Sequence, residues 1–165
     1  FVFGIFRVTK MFEEKKMVLV RQFLGSLPHF AALEMELLEM DVGYCRMQMP
    51  YHTAIVGDPD TGCVHGGVVT TLLYSVGCLC VFAQLQRMQP VATLDLRIDY
   101  LKPATLRSHL IAEARVERMT RTVAFVSGVA YQDRPESPMA RATASFILEG
   151  AGARPELSGT TEVPS

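Results

Sequence analysis

The sequence lacks the groupings of residues that mark several common classes of protein. Its four cysteines form no Cys-x-x-Cys pair, whereas structural zinc ligands usually come in such close pairs. Its 16 basic residues are balanced by 17 acidic residues, without the basic excess of a nucleic-acid-binding surface. We therefore expect no metal site and no nucleic-acid partner.

A secretory signal is also missing from the N-terminal stretch FVFGIFRVTK. No basic region precedes its apolar residues, and no small-residue cleavage site follows nearby. Cysteines that stay reduced are typical of cytoplasmic proteins. The two observations together predict a cytoplasmic location.

Charged residues are absent from Gly66 to Gln86. A run of about 20 apolar residues can cross a bilayer, but this one contains Thr70, Tyr74 and Gln84 and has no basic flank on its N-terminal side. A helix that is apolar almost all round can also be buried inside a soluble domain. The run is therefore interpreted as a buried central helix, and no membrane is expected as a partner.

What the sequence does contain fits a single domain. A chain of 165 residues lies within the usual domain size of roughly 100–200 residues. Residues 1–30 are predicted to be an N-terminal extension with a short helix over Phe12–Leu27, which stops near Gly25 and Pro28. Residues 31–149 are predicted to form the main domain, and the tail over residues 150–165 is predicted to be disordered.

Strand signals lie on both sides of the uncharged run. They are segments of alternating apolar and polar residues, separated by turn residues. The predicted strands are Leu33–Asp41, Tyr44–Pro50, Leu106–Arg118, Thr122–Tyr131 and Met139–Leu148. The stretch Tyr51–Val64 is rich in Asp, Pro, Gly and Thr, and is predicted to be a loop.

A further strand is indicated by the stretch TLDLRIDYL, which alternates strictly. The strict alternation places its residues on two faces, one with Leu94, Leu96, Ile98 and Tyr100 and the other with Thr93, Asp95, Arg97 and Asp99.

The order of these elements predicts an α+β fold. Strands joined by short turns favour one antiparallel sheet of about five or six strands, curled around the long central helix. Because one sheet around one helix leaves much apolar surface exposed, we expect a homodimer or homotetramer.

The stretch DPDTGCVHGGVVTTLLYS, from Asp58 to Ser75, leads from a turn into the central helix. Its part HGGVVTTLLYS resembles the signature of the PaaI-type acyl-CoA thioesterases, which have the hotdog fold. The segment YLKPA, which ends the strand after the helix, is similar to a Tyr-x-x-Pro-Ala segment of that family. The resemblance covers about Leu33 to Leu148 and implies an acyl-CoA thioesterase, with coenzyme A as part of the substrate and no separate cofactor.

The resemblance implies a role for the start of the central helix. The family uses the backbone N–H of the glycine after the histidine, here Gly66, to polarise the thioester carbonyl, as the unpaired N–H groups of a helix N-terminus can do. Gly66 and Gly67 let a ligand approach the backbone closely, or they merely allow a tight turn. His65 could bond a backbone group or the substrate carbonyl, so both a structural and a catalytic role stay open.

The sequence departs from the family at Tyr74, where a carboxylate usually acts as nucleophile or base. The ordinary pKa of tyrosine is about 10, so Tyr74 is expected to donate a hydrogen bond or to be a core aromatic residue. The family's loop amide is also missing, near Pro59. Asp58 or Asp60 could supply the carboxylate, although acids in turns often only cap them.

Two further sets of residues follow from the resemblance. Thr93 matches a position where related thioesterases can use a hydroxyl to hold water, although an ordinary β-branched strand residue is the favoured interpretation. The phosphates of coenzyme A are expected to lie near Arg97, Lys102 and Arg121, because guanidinium and ammonium groups bind phosphate.

Three functions remain open. The favoured one is thioester hydrolysis. The second is an acyl-CoA-binding or regulatory subunit without hydrolysis, which Tyr74 favours. The third is a dehydratase acting on acyl-carrier protein, against which the missing acid at position 74 counts.

Overall fold

A computed structural model describes residues 17–85, 87, 89–105 and 108–148. Helix α1 covers residues 17–25 and helix α2 covers Pro28–Ala32. The predicted N-terminal helix is therefore present at residues 17–25, and its predicted part before residue 17 lies outside the described residues. The predicted tail over residues 150–165 also lies outside them.

Six strands form one antiparallel sheet. In sheet order they are β1 (Glu36–Asp41), β2 (Tyr44–Met49), β6 (Leu110–Met119), β7 (Val123–Tyr131), β8 (Ala140–Leu148) and β5 (Val91–Tyr100). The hotdog architecture predicted from the sequence, with five or six strands around one helix, is confirmed. The stretch predicted to be a loop instead contains a short 3-10 helix (Thr53–Ile55) and a hairpin of strands β3 (Val56–Asp58) and β4 (Cys63–Val64).

The central helix α3 runs from Gly66 to Gln84. It packs mainly against β2, β6 and β7, and Leu72, Val76 and Val81 on it are fully buried. Among the described residues it is the one helix long and apolar enough to cross a membrane, yet 56% of its apolar window is buried inside the fold. The absence of charge in this run is thus explained by its place in the core.

Strand β5 is an edge strand with a β-bulge at Leu94. Thr93 pairs with Phe146 and Asp95 pairs with Ser145, so Leu94 has no partner. Directly opposite residues of antiparallel strands point to the same face, and Phe146 is buried against the helix. Thr93 therefore shares the helix side of the sheet, and the strictly alternating prediction, which put Thr93 with Asp95, was wrong at this point.

Beyond the bulge the predicted alternation is correct. Leu96, Ile98 and Tyr100 pair with Ala144, Ala142 and Ala140 on the inner face, and Asp95, Arg97 and Asp99 lie on the outer face. Among the described residues β5 has a hydrogen-bonded neighbour on one side only, which is β8. The side chain of Tyr100, its last residue, reaches the start of α3.

Candidate active site

The start of α3 is held by the side chain of His65. Nδ1 of His65 accepts a hydrogen bond from the backbone N–H of Gly67, at 3.0 Å. This is an N-cap, which satisfies one of the N–H groups that the first turn of a helix leaves without a partner. A side chain at Gly67 would place its Cβ 3.0 Å from the same Nδ1, so any larger residue there would crowd the cap.

The 3-10 helix and strand β3 support His65 from outside α3. The backbone N–H of His65 donates to the carbonyl of Ile55, the last residue of the 3-10 helix, at 2.9 Å. Gly57 on β3 comes so close that a Cβ on it would lie 2.8 Å from Cα of His65. These backbone contacts fix where α3 begins.

The N–H of Gly66 is the free donor of this turn. Gly66 is the first residue of α3, so no carbonyl within the helix is available to it. Within the part of the chain that the structure describes, its N–H has no hydrogen-bond acceptor. A ligand carbonyl can bind there, at the end of α3 that carries the positive partial charge of the helix dipole.

A pocket of about 350 Å³ opens beside Gly66. It lies between β4, the first turns of α3 and the segment that follows β5. Its lining residues are Cys63, Val64, Gly66, Val69, Tyr100, Leu101, Lys102, Pro103, Ala104 and Met139. Because most of these side chains are apolar, the pocket suits a hydrophobic group next to a carbonyl.

Two hydroxyl groups converge on the carbonyl of Gly66. The Tyr100 hydroxyl lies 2.9 Å from this oxygen and the Thr70 hydroxyl lies 3.1 Å from it. The two hydroxyls are also 2.6 Å from each other. Sequence reasoning assigned no role to either residue, although the YLKPA segment that begins with Tyr100 was a visible signal.

Tyr74 lies two turns along α3 from Gly66, on the same side as Thr70 and Gly67. Its side chain is 40% exposed, so it is not a buried core aromatic residue. Its ring centroid lies 6.5 Å from that of Phe146, which is the partner of Thr93 across the sheet. Tyr74, on the helix, and Thr93, on the sheet, thus both lie beside Phe146.

Asp58 and Asp60 differ in their surroundings. The Asp58 carboxylate accepts hydrogen bonds from the Thr61 hydroxyl at 2.6 Å and from the backbone N–H of Asp60 at 3.1 Å. These two bonds lower the pKa of Asp58, with the Thr61 bond as the larger cause. The carboxylate of Asp60 is exposed and makes no hydrogen bond or ion pair among the described residues.

The three basic residues predicted to bind coenzyme A are not brought together within one chain. Lys102 lines the pocket, and its Nζ donates to the Ser137 hydroxyl at 2.6 Å. Arg97 lies on the outer face of β5, where it pairs with Asp99 at 3.0 Å. Arg121 lies in the β6–β7 turn, at the opposite end of the sheet from Lys102.

Comparison with known proteins places this geometry in a family. A family model described as the thioesterase superfamily matches residues 61–138. A candidate esterase of Halobacterium salinarum is 42% identical over 84 residues, which make up 49% of this chain and 54% of that protein. The medium/long-chain acyl-CoA thioesterase YigI of Escherichia coli K12 is 27% identical over 139 residues, or 76% of this chain and 88% of that one.

Solved structures agree with the sequence matches. A Pseudomonas aeruginosa protein is 35% identical, with a TM-score of 0.71 over 79% of this chain and 97% of its own. The phenylacetic acid degradation protein PaaI of Thermus thermophilus, with a TM-score of 0.64, and a phenylacetic acid degradation-related protein of Ralstonia eutropha, with a TM-score of 0.65, share the same fold. The chain therefore belongs to the thioesterase superfamily, as a hotdog-fold protein of the PaaI type, and its family indicates the hydrolysis of thioesters.

Proposed function

We propose that this protein is an acyl-CoA thioesterase, which cleaves a thioester into a carboxylic acid and free coenzyme A. The observation that carries the proposal is the unpartnered N–H of Gly66, which opens α3 beside a largely apolar pocket of about 350 Å³. Relatives with names that state acyl-CoA thioesterase activity support this choice of substrate.

The Gly66 N–H supplies the electrostatic part of catalysis. When water adds to the thioester carbon, negative charge develops on the carbonyl oxygen. A positioned N–H stabilises this charge, and loss of one such donor typically costs about 10²–10³ in rate. The tetrahedral intermediate then collapses, the carbon–sulfur bond breaks, and the thiolate of coenzyme A takes up a proton.

We assign to Asp60 the role of the base, which accepts the proton of the attacking water, because its exposed carboxylate makes no hydrogen bond among the described residues. The other loop carboxylate, Asp58, is the weaker candidate because its two hydrogen bonds lower its pKa. Tyr74 lies eight residues along α3 from Gly66, or about 12 Å, and Thr93 lies seven residues along β5 from Tyr100, or about 23 Å. Their hydroxyl groups can therefore orient the water only from a second copy of the chain, across the oligomer interface.

The alternative is a protein that binds acyl-CoA without hydrolysing it. Tyr74 favours this function, because the family's carboxylate position is here filled by a half-exposed phenol. In that case Gly66 still holds the thioester carbonyl, but no group removes the proton from water.

We further propose that the protein works as a homo-oligomer with the free edge of β5 at the interface. β5 has ten residues and, in the part of the chain that the structure describes, one hydrogen-bonded neighbour, and a long unpaired edge invites pairing with another chain. Leu94, Tyr100 and Leu101 are more than half exposed beside this edge. A second copy would cover them and close the open side of the pocket.

The proposal is tested by removing the Gly66 N–H without disturbing the helix. Proline has no N–H but is favoured at the first position of a helix, and His65 already has the extended backbone, at φ −63° and ψ 132°, that precedes proline. Gly66→Ala is the matched control, because its Cβ would meet Tyr100 at an ordinary 3.5 Å and the N–H stays.

Wild type should hydrolyse medium- or long-chain acyl-CoA. Gly66→Pro should lower kcat by about 10²–10³, while Gly66→Ala should keep most of the activity. Equal activity in Gly66→Pro and Gly66→Ala would contradict the role of Gly66. If wild type binds acyl-CoA but does not hydrolyse it, the alternative function, binding without hydrolysis, is the correct one.

A further inference from the structure

The peptide unit between Gly66 and Gly67 is held at both of its ends. Its N–H, which belongs to Gly67, donates to Nδ1 of His65 at 3.0 Å. Its carbonyl, which belongs to Gly66, faces the hydroxyls of Tyr100 and Thr70 at 2.9 and 3.1 Å. The Gly66 N–H, the free donor of the site, belongs to the preceding peptide, whose His65 carbonyl accepts the N–H of Val68 at 3.0 Å. The backbone angles of Gly66 set how this donor is directed relative to the Gly66–Gly67 peptide.

Such a double hold is needed because the turn consists of two glycines. Glycine populates more backbone conformations than any other residue, so the angle between the two peptides that meet at Gly66 is easily distorted. A donor that stabilises a transition state is effective only when its direction is fixed in advance. His65 holds one end of the Gly66–Gly67 peptide. At the other end the Gly66 carbonyl is an acceptor of the first helical turn, and the two hydroxyls reinforce that hold.

The hydroxyl pair acts as a unit. Each hydroxyl carries a single proton, and the two oxygens are 2.6 Å apart. One hydroxyl therefore donates to the carbonyl of Gly66, and the other donates to its hydroxyl neighbour. If either residue loses its hydroxyl, the remaining one can still reach the carbonyl.

The pair also joins two distant parts of the fold. Thr70 lies one turn into α3, whereas Tyr100 is the last residue of the edge strand β5 and is 34 positions from Gly66 in sequence. Tyr100 is 54% exposed and lines the pocket. The contact thus links the donor turn to the strand edge at which a second copy would pair.

We propose that Tyr100 and Thr70 are positioning residues, which orient the Gly66 N–H toward the thioester carbonyl through the Gly66 carbonyl. This inference rests on the proposed function, because it assigns to the two residues a role in the same site. Their hydroxyls act through the backbone and take no part in moving protons to or from the substrate.

The test is a double-mutant cycle with Tyr100→Phe and Thr70→Val. Each single variant should lower kcat by about two- to tenfold, which is the range of a net hydrogen bond. The double variant should lower kcat by more than the product of the two single effects, because only it leaves the carbonyl without a hydroxyl. KM should change little, since a donor that acts mainly in the transition state affects kcat.

The matched control is Tyr44→Phe. The Tyr44 hydroxyl donates to Glu113 at 3.3 Å, on the outer face of the sheet and away from the pocket. Removing it costs one tyrosine hydrogen bond without touching Gly66, so kcat should stay at the wild-type value. Strictly multiplicative effects of Tyr100→Phe and Thr70→Val on kcat, or effects no larger than that of Tyr44→Phe, would overturn the inference.

A second readout separates this inference from the proposed function. In a ketone analogue of acyl-CoA a methylene group replaces the thioester sulfur, so the bound carbonyl cannot be hydrolysed. Its ¹³C carbonyl resonance should move downfield on binding to wild type, and by a smaller amount in the double variant. The same shift in both proteins would refute the positioning role even where wild type is active.

If wild type binds the analogue but hydrolyses no acyl-CoA, a shift that depends on the hydroxyl pair would still support the positioning role, and the hydrolase proposal alone would fail. If wild type does not bind the analogue, both proposals fail.

Discussion

Nδ1 of His65 accepts the backbone hydrogen bond of Gly67 at 3.0 Å, so the residue that precedes α3 also caps it. This contact uses one ring nitrogen, and the other, Nε2, makes no hydrogen bond among the described residues. The structural role that the sequence left open for His65 is therefore visible, and a catalytic role depends on Nε2 alone.

Variants of His65 should separate these two roles. His65→Ala removes the cap and should lower the free energy of unfolding by about 1 kcal/mol. His65→Asn should restore it, because asparagine is a favoured N-cap residue. Urea unfolding and kcat are measured on both variants. If His65→Asn restores both the free energy of unfolding and kcat, His65 acts only as a cap. If it restores the free energy of unfolding but not kcat, Nε2 of His65 has a role in catalysis.

The position of Tyr74 predicts that a carboxylate can be introduced there. Since the side chain is 40% exposed, Tyr74→Asp should fold, and a positioned base is worth about 10²–10⁴ in rate. We expect hydrolysis above the wild-type level. Tyr74→Asn is the control of equal shape, and it should not share the gain. Equal rates for the two variants would show that no water is held within reach of position 74.

The assignment of the base to Asp60 is tested in the same assay. Asp60→Asn should abolish most of the turnover, while Asp58→Asn should reduce it only modestly, because Asp58 is engaged by Thr61 and the backbone. Loss of activity in Asp58→Asn alone would reverse the assignment.

The free energy of unfolding should depend on pH through Asp58, in the β3–β4 hairpin. Hydrogen bonds lower the pKa of Asp58 below its ordinary value of 3.8, so the folded state binds this proton less readily than the unfolded chain. The stabilisation is complete above the ordinary pKa and is lost as the pH falls through the lower, folded-state value. Asp58→Asn keeps an acceptor but does not titrate. Its urea midpoint should fall less steeply than that of wild type below about pH 4, and parallel slopes would contradict the expectation.

Of the basic residues, Lys102 should contribute most to the affinity for coenzyme A. It lies at the pocket, and one hydrogen bond to a charged group is worth about tenfold in affinity. Lys102→Ala should weaken binding by this amount in calorimetry. Arg121→Ala should do so only if a second copy brings Arg121 to the pocket, because the two residues lie at opposite ends of one sheet. Unchanged affinity in Lys102→Ala would remove Lys102 from the site.

The oligomer should depend on the edge of β5. Leu94 is 55% exposed on this strand, whereas Val42 is 70% exposed in the β1–β2 turn at the other edge of the sheet. Light scattering should give a dimer or tetramer for wild type and for Val42→Lys, and a smaller mass for Leu94→Lys. A monomeric wild type would exclude the interface.

Much of the fold was predictable because its signals are local. Alternation between apolar and polar residues marked each strand of the sheet, and the uncharged run marked α3. The bulge at Leu94 was missed, because the residue types around it alternate as they would in a regular strand and give no signal of an extra residue. The β3–β4 hairpin was missed because its strands are only three and two residues long.

The site was predictable as far as it follows the chain. His65, Gly66 and Gly67 are consecutive, and their place at the start of the helix could be read from the sequence. The contact of Tyr100 with Gly66 spans 34 positions, and only the sheet register brings the two together. For the same reason the sequence could not show that Lys102 and Arg121 lie at opposite ends of the sheet.

The bulge at Leu94 makes the inner surface of β5 sensitive to the length of the chain as well as to its composition. Deleting this one residue would restore strict alternation and rotate Val91 to Thr93 by half a turn relative to the rest of the strand. The Thr93 hydroxyl would then face away from the helix, although no side chain had been exchanged. Insertions and deletions at this position therefore offer a single genetic step by which homologous chains could gain or lose a hydroxyl group in the site.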